Sequence, residues 1–309
     1  MNIHKKFFSK VGFNYLILAV SAIIIQVIAI NAISMLNIDI INDYNYLTIM
    51  SAVCNYILPL PIILFLMKKI DTRHLERHGI SVLTFLKYFA ITLTLMWAGN
   101  LIGLILTSLL GGLTQTTITN PVENLINSTD VWLNLLLISI IGPVFEEFFF
   151  RKLLVDRTIR YGARVSIILS AVIFGFFHGN LNQFFYAFLM GGFLAYVYIK
   201  TGTILYPILL HICANLMGSV VSLFVGKSAM AIAAGNVAIG DLAVVLIYTA
   251  VILLCILIGL ISLTSYKKSK FNGLKTEISL THPIKTMLLN YGMILFMVFC
   301  VLEIVYQII

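Results

Sequence analysis

The sequence predicts an all-α fold, a polytopic membrane helical bundle of eight to nine transmembrane helices. Three observations carry that prediction. Apolar residues make up 61% of the 309 and charged residues only 10%, against about 45–50% and about 25% in soluble globular chains. Mean hydropathy is +1.04. Apolar runs long enough to cross a bilayer recur along the whole chain. A soluble fold of this size could not cover its surface with so few charges. The chain reads as one integral membrane domain over residues 1–309.

The spans follow in order. Lys5, Lys6 and Lys10 precede a first run at 13–36, which exceeds the apolar core of a signal peptide and reads as a retained anchor. A second run covers 46–67. The segment 68–82 places Arg73, His74, Arg77 and His78 among apolar residues, which predicts a helix lying on the inner membrane surface. After the run at 84–110 comes a polar, turn-rich loop over 111–130, with a formal glycosylation sequon at Asn127. The run at 131–154 ends toward a turn at Tyr161–Gly162. Runs at 165–180 and 182–200 are joined weakly between Gly179 and Asn182, and the total is therefore eight or nine. A Thr201–Gly202 turn leads to runs at 203–225, 241–265 and 286–307.

The formal net charge is +8. All cations except Lys227 fall on every second connection, the positive-inside pattern, which puts the N-terminus in the cytoplasm. Asp39, Asp43, Glu123, Asp130 and Asp241 occupy the opposite connections. The surplus is topological. No basic stripe with interleaved aromatics is present, which excludes a nucleic-acid partner. Cys54, Cys213, Cys255 and Cys300 sit in apolar stretches without metal spacing and read as small hydrophobes. Richness in Ile, Asn and Lys suggests an AT-rich bacterial source, hence a bacterial cell membrane.

Against this background the buried polar residues stand out, because a charge at bilayer depth costs at least about 2.5–3.5 kcal/mol. Glu146 and Glu147 are adjacent in an apolar run. Arg151 lies four residues beyond Glu147 and shares its helix face, leaving Glu146 about 100° around the helix. Pro143 frees the Ser139 carbonyl just before the pair. Phe174 lies one turn before His178, and His211 one turn before Asn215. Glu303, near the end of the last run, reads as interfacial.

Depth can be compared by residue count. Glu146 precedes Gly162 by 16 residues and His178 follows it by 16, so each lies about 24 Å from the turn. His211 follows Gly202 by 9 residues, about 14 Å. It meets the others only if the Gly162 turn projects about 10 Å beyond the Gly202 turn.

A carboxylate among Phe145, Phe148 and Phe149, with a histidine at the same height, suits activation of a water as general base. A second histidine and an amide suit an oxyanion. Together they suffice for amide hydrolysis. Glu146, His178 and His211 equally suit a divalent metal such as zinc, although HExxH is absent. A non-catalytic scaffold and a proton-relaying transporter are the rival classes.

At these residues the chain resembles the CAAX prenyl endopeptidase and bacteriocin-processing family of intramembrane proteases, also called Abi. The family pattern is EExxxR, FxxxH and HxxxN on successive helices. Here it reads Glu146-Glu147 to Arg151, Phe174 to His178, and His211 to Asn215. The resemblance covers a protease-like core over 130–225. It implies an eight-helix core, a cavity reached from the cytoplasmic side, water activated by Glu146 and His178, and an oxyanion site at His211 and Asn215. Glu147, Arg151 and Phe174 support them. No cofactor is then expected. The implied partners are the lipid bilayer and a membrane-associated protein or peptide substrate, either prenylated or a bacteriocin-like precursor. The rival within the same fold is an immunity factor or a sensor-kinase regulator. Lys152 stands where many members carry a small residue.

Overall fold

Eight helices among the described residues are long and apolar enough to cross a membrane, and a ninth apolar helix is shorter. The computed structural model describes residues 2–36, 40, 42–115, 118, 120–266 and 276–308. No strand occurs among them. The helices are α1 (Ile3–Leu36), α2 (Tyr44–Met67), α3 (Val82–Thr114), α4 (Pro121–Ser128), α5 (Val131–Tyr161), α6 (Ala163–Phe177), α7 (Leu181–Thr201), α8 (Leu205–Ala233), α9 (Ile239–Thr264), α10 (Pro283–Leu288) and α11 (Tyr291–Ile308). The run expected at 165–180 is the short one, α6, at 15 residues. Asp39, Lys267, Lys268, Lys270 and Lys275, which entered the charge argument, lie outside the described residues.

Helix α1 starts ten residues earlier than its apolar run, so Lys5, Lys6 and Lys10 ride on its first turns. At 34 residues it is about 51 Å long, well beyond a hydrocarbon core of about 30 Å, and its basic end can reach past the lipid tails. Phe8, Val11, Tyr15, Leu18 and Ala22 recur every three or four residues and are buried. Ile17, Ile24 and Ile28 on the other face are exposed, as lipid contact requires.

The segment 68–82 is a correction. Residues 71–81 form an irregular strap, not a surface helix. The strap finds its backbone partners elsewhere. Arg73 N donates to Asp156 O at 2.6 Å, and His78 N to Thr201 O at 2.8 Å. The 111–130 loop is corrected too. Asn120 caps α4 by accepting from Val122 N, Pro121 sits in its first turn, and Asn127 and Ser128 of the sequon are helical while Thr129 is extended.

Both expected turns are present. Gly162 has φ +97° and Gly202 φ +64°, conformations that glycine adopts at little cost. Tyr198 O–H donates to Asp156, and Lys152 donates to Tyr198. Tyr198 lies four residues before Gly202, whereas Asp156 and Lys152 lie six and ten before Gly162. The Gly162 turn therefore projects about 3–9 Å beyond the Gly202 turn, in the direction that His211 needs.

Two ends of the bundle are distinct. At one, Lys10 donates to Lys69 O, Arg73 pairs with Glu277 at 3.0 Å, and Ile278 N donates to Arg160 O. At the other, Asn45 bonds Asp130 through side chain and backbone, and Thr48 meets Thr129 at 2.9 Å.

Helix α7 is held between α3 and α6, and α1 packs along α11. At the latter crossing, Gly12 and Gly292 bring the backbones together, and Gly292 N donates to Ser9 Oγ at 3.0 Å. A methyl at either glycine would overlap the partner backbone. Gly292→Leu is therefore expected to cost about 1–3 kcal/mol by overpacking. Gly112→Ala, where an added carbon meets open space, should leave the thermal midpoint of the detergent-purified protein unchanged or slightly raised.

Candidate active site

Helix α5 carries both carboxylates, and its backbone widens on either side of them. Residues Asn134–Ile141 and Phe148–Leu153 are π-helical, with Pro143 near the start of the α-helical turn between. Such turns recur at functional sites because they rotate side chains out of the regular 3.6 phase. The widened stretch is tied to its neighbours. Tyr15 O–H donates to Phe149 O at 2.6 Å, and Ser170 Oγ to Phe150 O at 3.0 Å. Ser139 meets Ser219 at 2.8 Å, in a third π-helical turn at Met217–Val221 of α8.

Glu147 is fully buried and forms an ion pair with Arg151, also fully buried, at 3.0 Å. This is the pairing that the spacing predicts. Glu147 has a second partner, His211, whose Nδ1 lies 2.8 Å away. His211 Nε2 lies 3.6 Å from Glu146, an ion-pair distance too long for a hydrogen bond. Glu146 faces a cavity of about 1010 Å³ and accepts Tyr56 O–H at 2.7 Å. Tyr56 stacks on Phe145.

Phe174 joins the remaining parts. Arg151 lies over its ring at 4.4 Å, a cation–π contact. The rings of His178 and His211 stand edge-on to it at 4.7 and 5.8 Å. His178 Nδ1 lies 2.7 Å from Phe174 O. Only an Nδ1–H can bond a carbonyl, and a neutral His178 then keeps the Nε2 lone pair as its acceptor. Gly191 on α7 makes room for the Phe174 ring, which lies 2.6 Å from where a Cβ would stand.

Glu146, His178, His211 and Asn215 all line the one cavity, whereas Glu147, Arg151 and Phe174 stand behind it. Asn215 Nδ2 donates to Ile138 O at 2.9 Å. The amide thus fastens α8 to α5 with one of its two hydrogens. Lys152 is turned to Asp156 at 2.7 Å and Tyr198, and does not line the cavity. Among the described residues, no group of three or more His, Cys, Asp or Glu is arranged to hold a metal ion.

Sequence reasoning missed Tyr56, which lies 90 residues from Glu146. The polar pair Asn55–Tyr56 within an apolar run was the available signal. It also missed Gln183 and Tyr186, bonded to each other at 2.6 Å on the cavity wall. Glu303 requires a correction. It is not an isolated interfacial residue, for it lines the same cavity and its carboxylate lies 3.1 Å from where a Cβ on Gly179 would stand.

The cavity occupies one half of the bundle. None of its lining residues falls within 57–95, 151–176 or 187–210, the stretches that reach the basic end. Its walls instead run toward α4. The charge rule places the basic end in the cytoplasm, and the resemblance places the cavity mouth there. These two expectations point to opposite faces.

The family described as Type II CAAX prenyl endopeptidase Rce1-like matches residues 128–217. That stretch holds Glu146, Glu147, Arg151, Phe174, His178, His211 and Asn215. The resemblance carried by the three motifs is therefore borne out over that segment. The Bacillus subtilis protein named "Putative membrane peptidase YdiL" is 36% identical over 81 residues, which is 25% of this chain and 32% of that protein. The chain thus spans about a third of the length of that relative. No solved structure matches.

Breaking a buried pair costs more than removing it, because the orphaned charge stays desolvated. Arg151→Met is expected to destabilise by about 3–5 kcal/mol. The double variant Glu147→Gln/Arg151→Met should recover part of that loss in the thermal unfolding midpoint.

Proposed function

We propose that the protein is an intramembrane endopeptidase that hydrolyses a peptide bond with water activated by Glu146 and His178. The observation that supports this best is the shared cavity, where a carboxylate, two imidazoles and an amide face one space inside an otherwise apolar bundle. A scaffold has no need of that set, and each member is costly at bilayer depth.

In this reading the substrate carbonyl lies between the Glu146–His178 pair and His211. Glu146 takes a proton from water as the oxygen bonds to the carbonyl carbon. His178 Nε2 holds that water and shares the proton. The C–N bond then breaks, and the proton passes to the leaving nitrogen. The oxyanion of the intermediate accepts from the Nε2–H of a doubly protonated His211, whose Nδ1–H donates to Glu147, and from the second amide hydrogen of Asn215. Glu147 orients the His211 ring by its contact to Nδ1, Arg151 offsets the Glu147 charge, and Tyr56 fixes the rotamer of Glu146. No metal enters this scheme. The substrate is a membrane-associated protein or a peptide precursor, and a bacterial cell membrane is the setting the composition suggests.

Loss of a positioned general base costs about 10²–10⁴-fold. Glu146→Ala and His178→Ala are therefore each expected to abolish detectable cleavage at normal protein levels. Comparative peptidomics of membranes with and without Glu146→Ala would read this out and reveal the substrate. Unchanged peptide profiles and unchanged biological activity in both variants would sink the peptidase reading. Tyr56→Phe, which keeps the ring and loses the bond to Glu146, should lower kcat by up to about tenfold.

A further inference from the structure

The cavity and the cations lie at opposite ends of the bundle, and that has a consequence for the substrate. Lys5, Lys10, Arg73, Arg160 and Lys200 mark one end, stitched together by the strap and by the Gly162 and Gly202 turns. The cavity begins near mid-depth, at Glu146, His178 and His211. It continues through Asn100 to Glu123 and Asn127 of α4 at the other end. Among the described residues, the only Lys or Arg toward that end is Lys227 of α8. Lysine and arginine near span ends are retained in the cytoplasm, so the mouth under α4 belongs to the opposite face.

We infer that the site is served from the non-cytoplasmic face, and that its substrate is a peptide segment exposed there, in place of a cytoplasmic protein tail. This rests on the peptidase reading. The charge of the lining agrees. Every Lys, Arg, Asp or Glu that lines the cavity is a carboxylate, namely Glu123, Glu146 and Glu303. A CAAX-type tail is recognised at the chain's C-terminus, which bears a carboxylate. A free carboxylate drawn past three others is opposed at each step, whereas an internal or basic peptide segment is not.

Cysteine labelling tests the face directly. Glu123→Cys lies at the mouth and Glu76→Cys at the basic end, where the Glu76 side chain is 90% exposed. The protein without an added cysteine supplies the background from its four native thiols. A membrane-impermeant maleimide on intact cells should label Glu123→Cys and leave Glu76→Cys unlabelled until the cells are permeabilised. The same label on Glu123→Cys should then reduce hydrolysis of quenched fluorogenic peptides added outside, while labelled Glu76→Cys keeps full activity. Asn127→Cys on the same helix serves if Glu123→Cys does not accumulate. Labelling of Glu76→Cys in intact cells with Glu123→Cys protected overturns the inference, as does cleavage confined to peptides on the inner side. Labelling as expected, with no peptide cleaved from either side, upholds the access face and defeats the peptidase reading instead.

Discussion

A carboxylate with no access to water is the constraint around which this bundle is arranged. Glu147 is fully buried at membrane depth, where an unpaired charge is expensive. Two cationic or hydrogen-donating groups meet it, Arg151 from its own helix and His211 from α8. Arg151 in turn needs a surface of its own, and Phe174 of α6 provides a ring face at 4.4 Å. Gly191 of α7 admits that ring. Four helices are therefore positioned by one desolvated charge. The groups that face the cavity are held from behind by it.

The backbone of α5 serves the same arrangement. A regular helix would put Glu146 and Glu147 in fixed phase with Ser139 and Phe149. The π-helical turns on each side change that phase. They are anchored by Tyr15, Ser170 and Ser219, all hydroxyl-bearing residues on other helices. Asn215 belongs to this set as much as to the cavity, since its amide holds the Ile138 carbonyl. One side chain thus couples helix packing to the geometry of the site.

Much of this was legible in the residues. The spans could be counted because lipid demands apolar runs, and the Glu147–Arg151 pair could be read because the four-residue spacing puts both side chains on one helix face. The equal separation of His178 and Glu146 from one glycine turn could be counted, and both residues line the cavity. The strap at 71–81 was not legible. Its mixed basic and apolar pattern fits a surface helix equally well, and its actual partners, Asp156 and Thr201, are remote in sequence. Glu303 was misjudged for a related reason, because a terminal span gives no indication of which helix lies opposite it.

What the sequence determined alone was the class of molecule, the helical spacing of its motifs and the sorting of cations onto alternate connections. Each follows from local rules, of hydropathy, of helical period and of charge retention. Tertiary structure decided that His211 sits between two carboxylates, that Tyr56 reaches Glu146, and that the cavity lies away from the basic end. Those outcomes depend on which helices are neighbours and how far each slides along the other. That is settled by packing at sites such as Gly12 on Gly292 and Gly191 on Phe174, where contacts between distant residues, and no local periodicity, set the register.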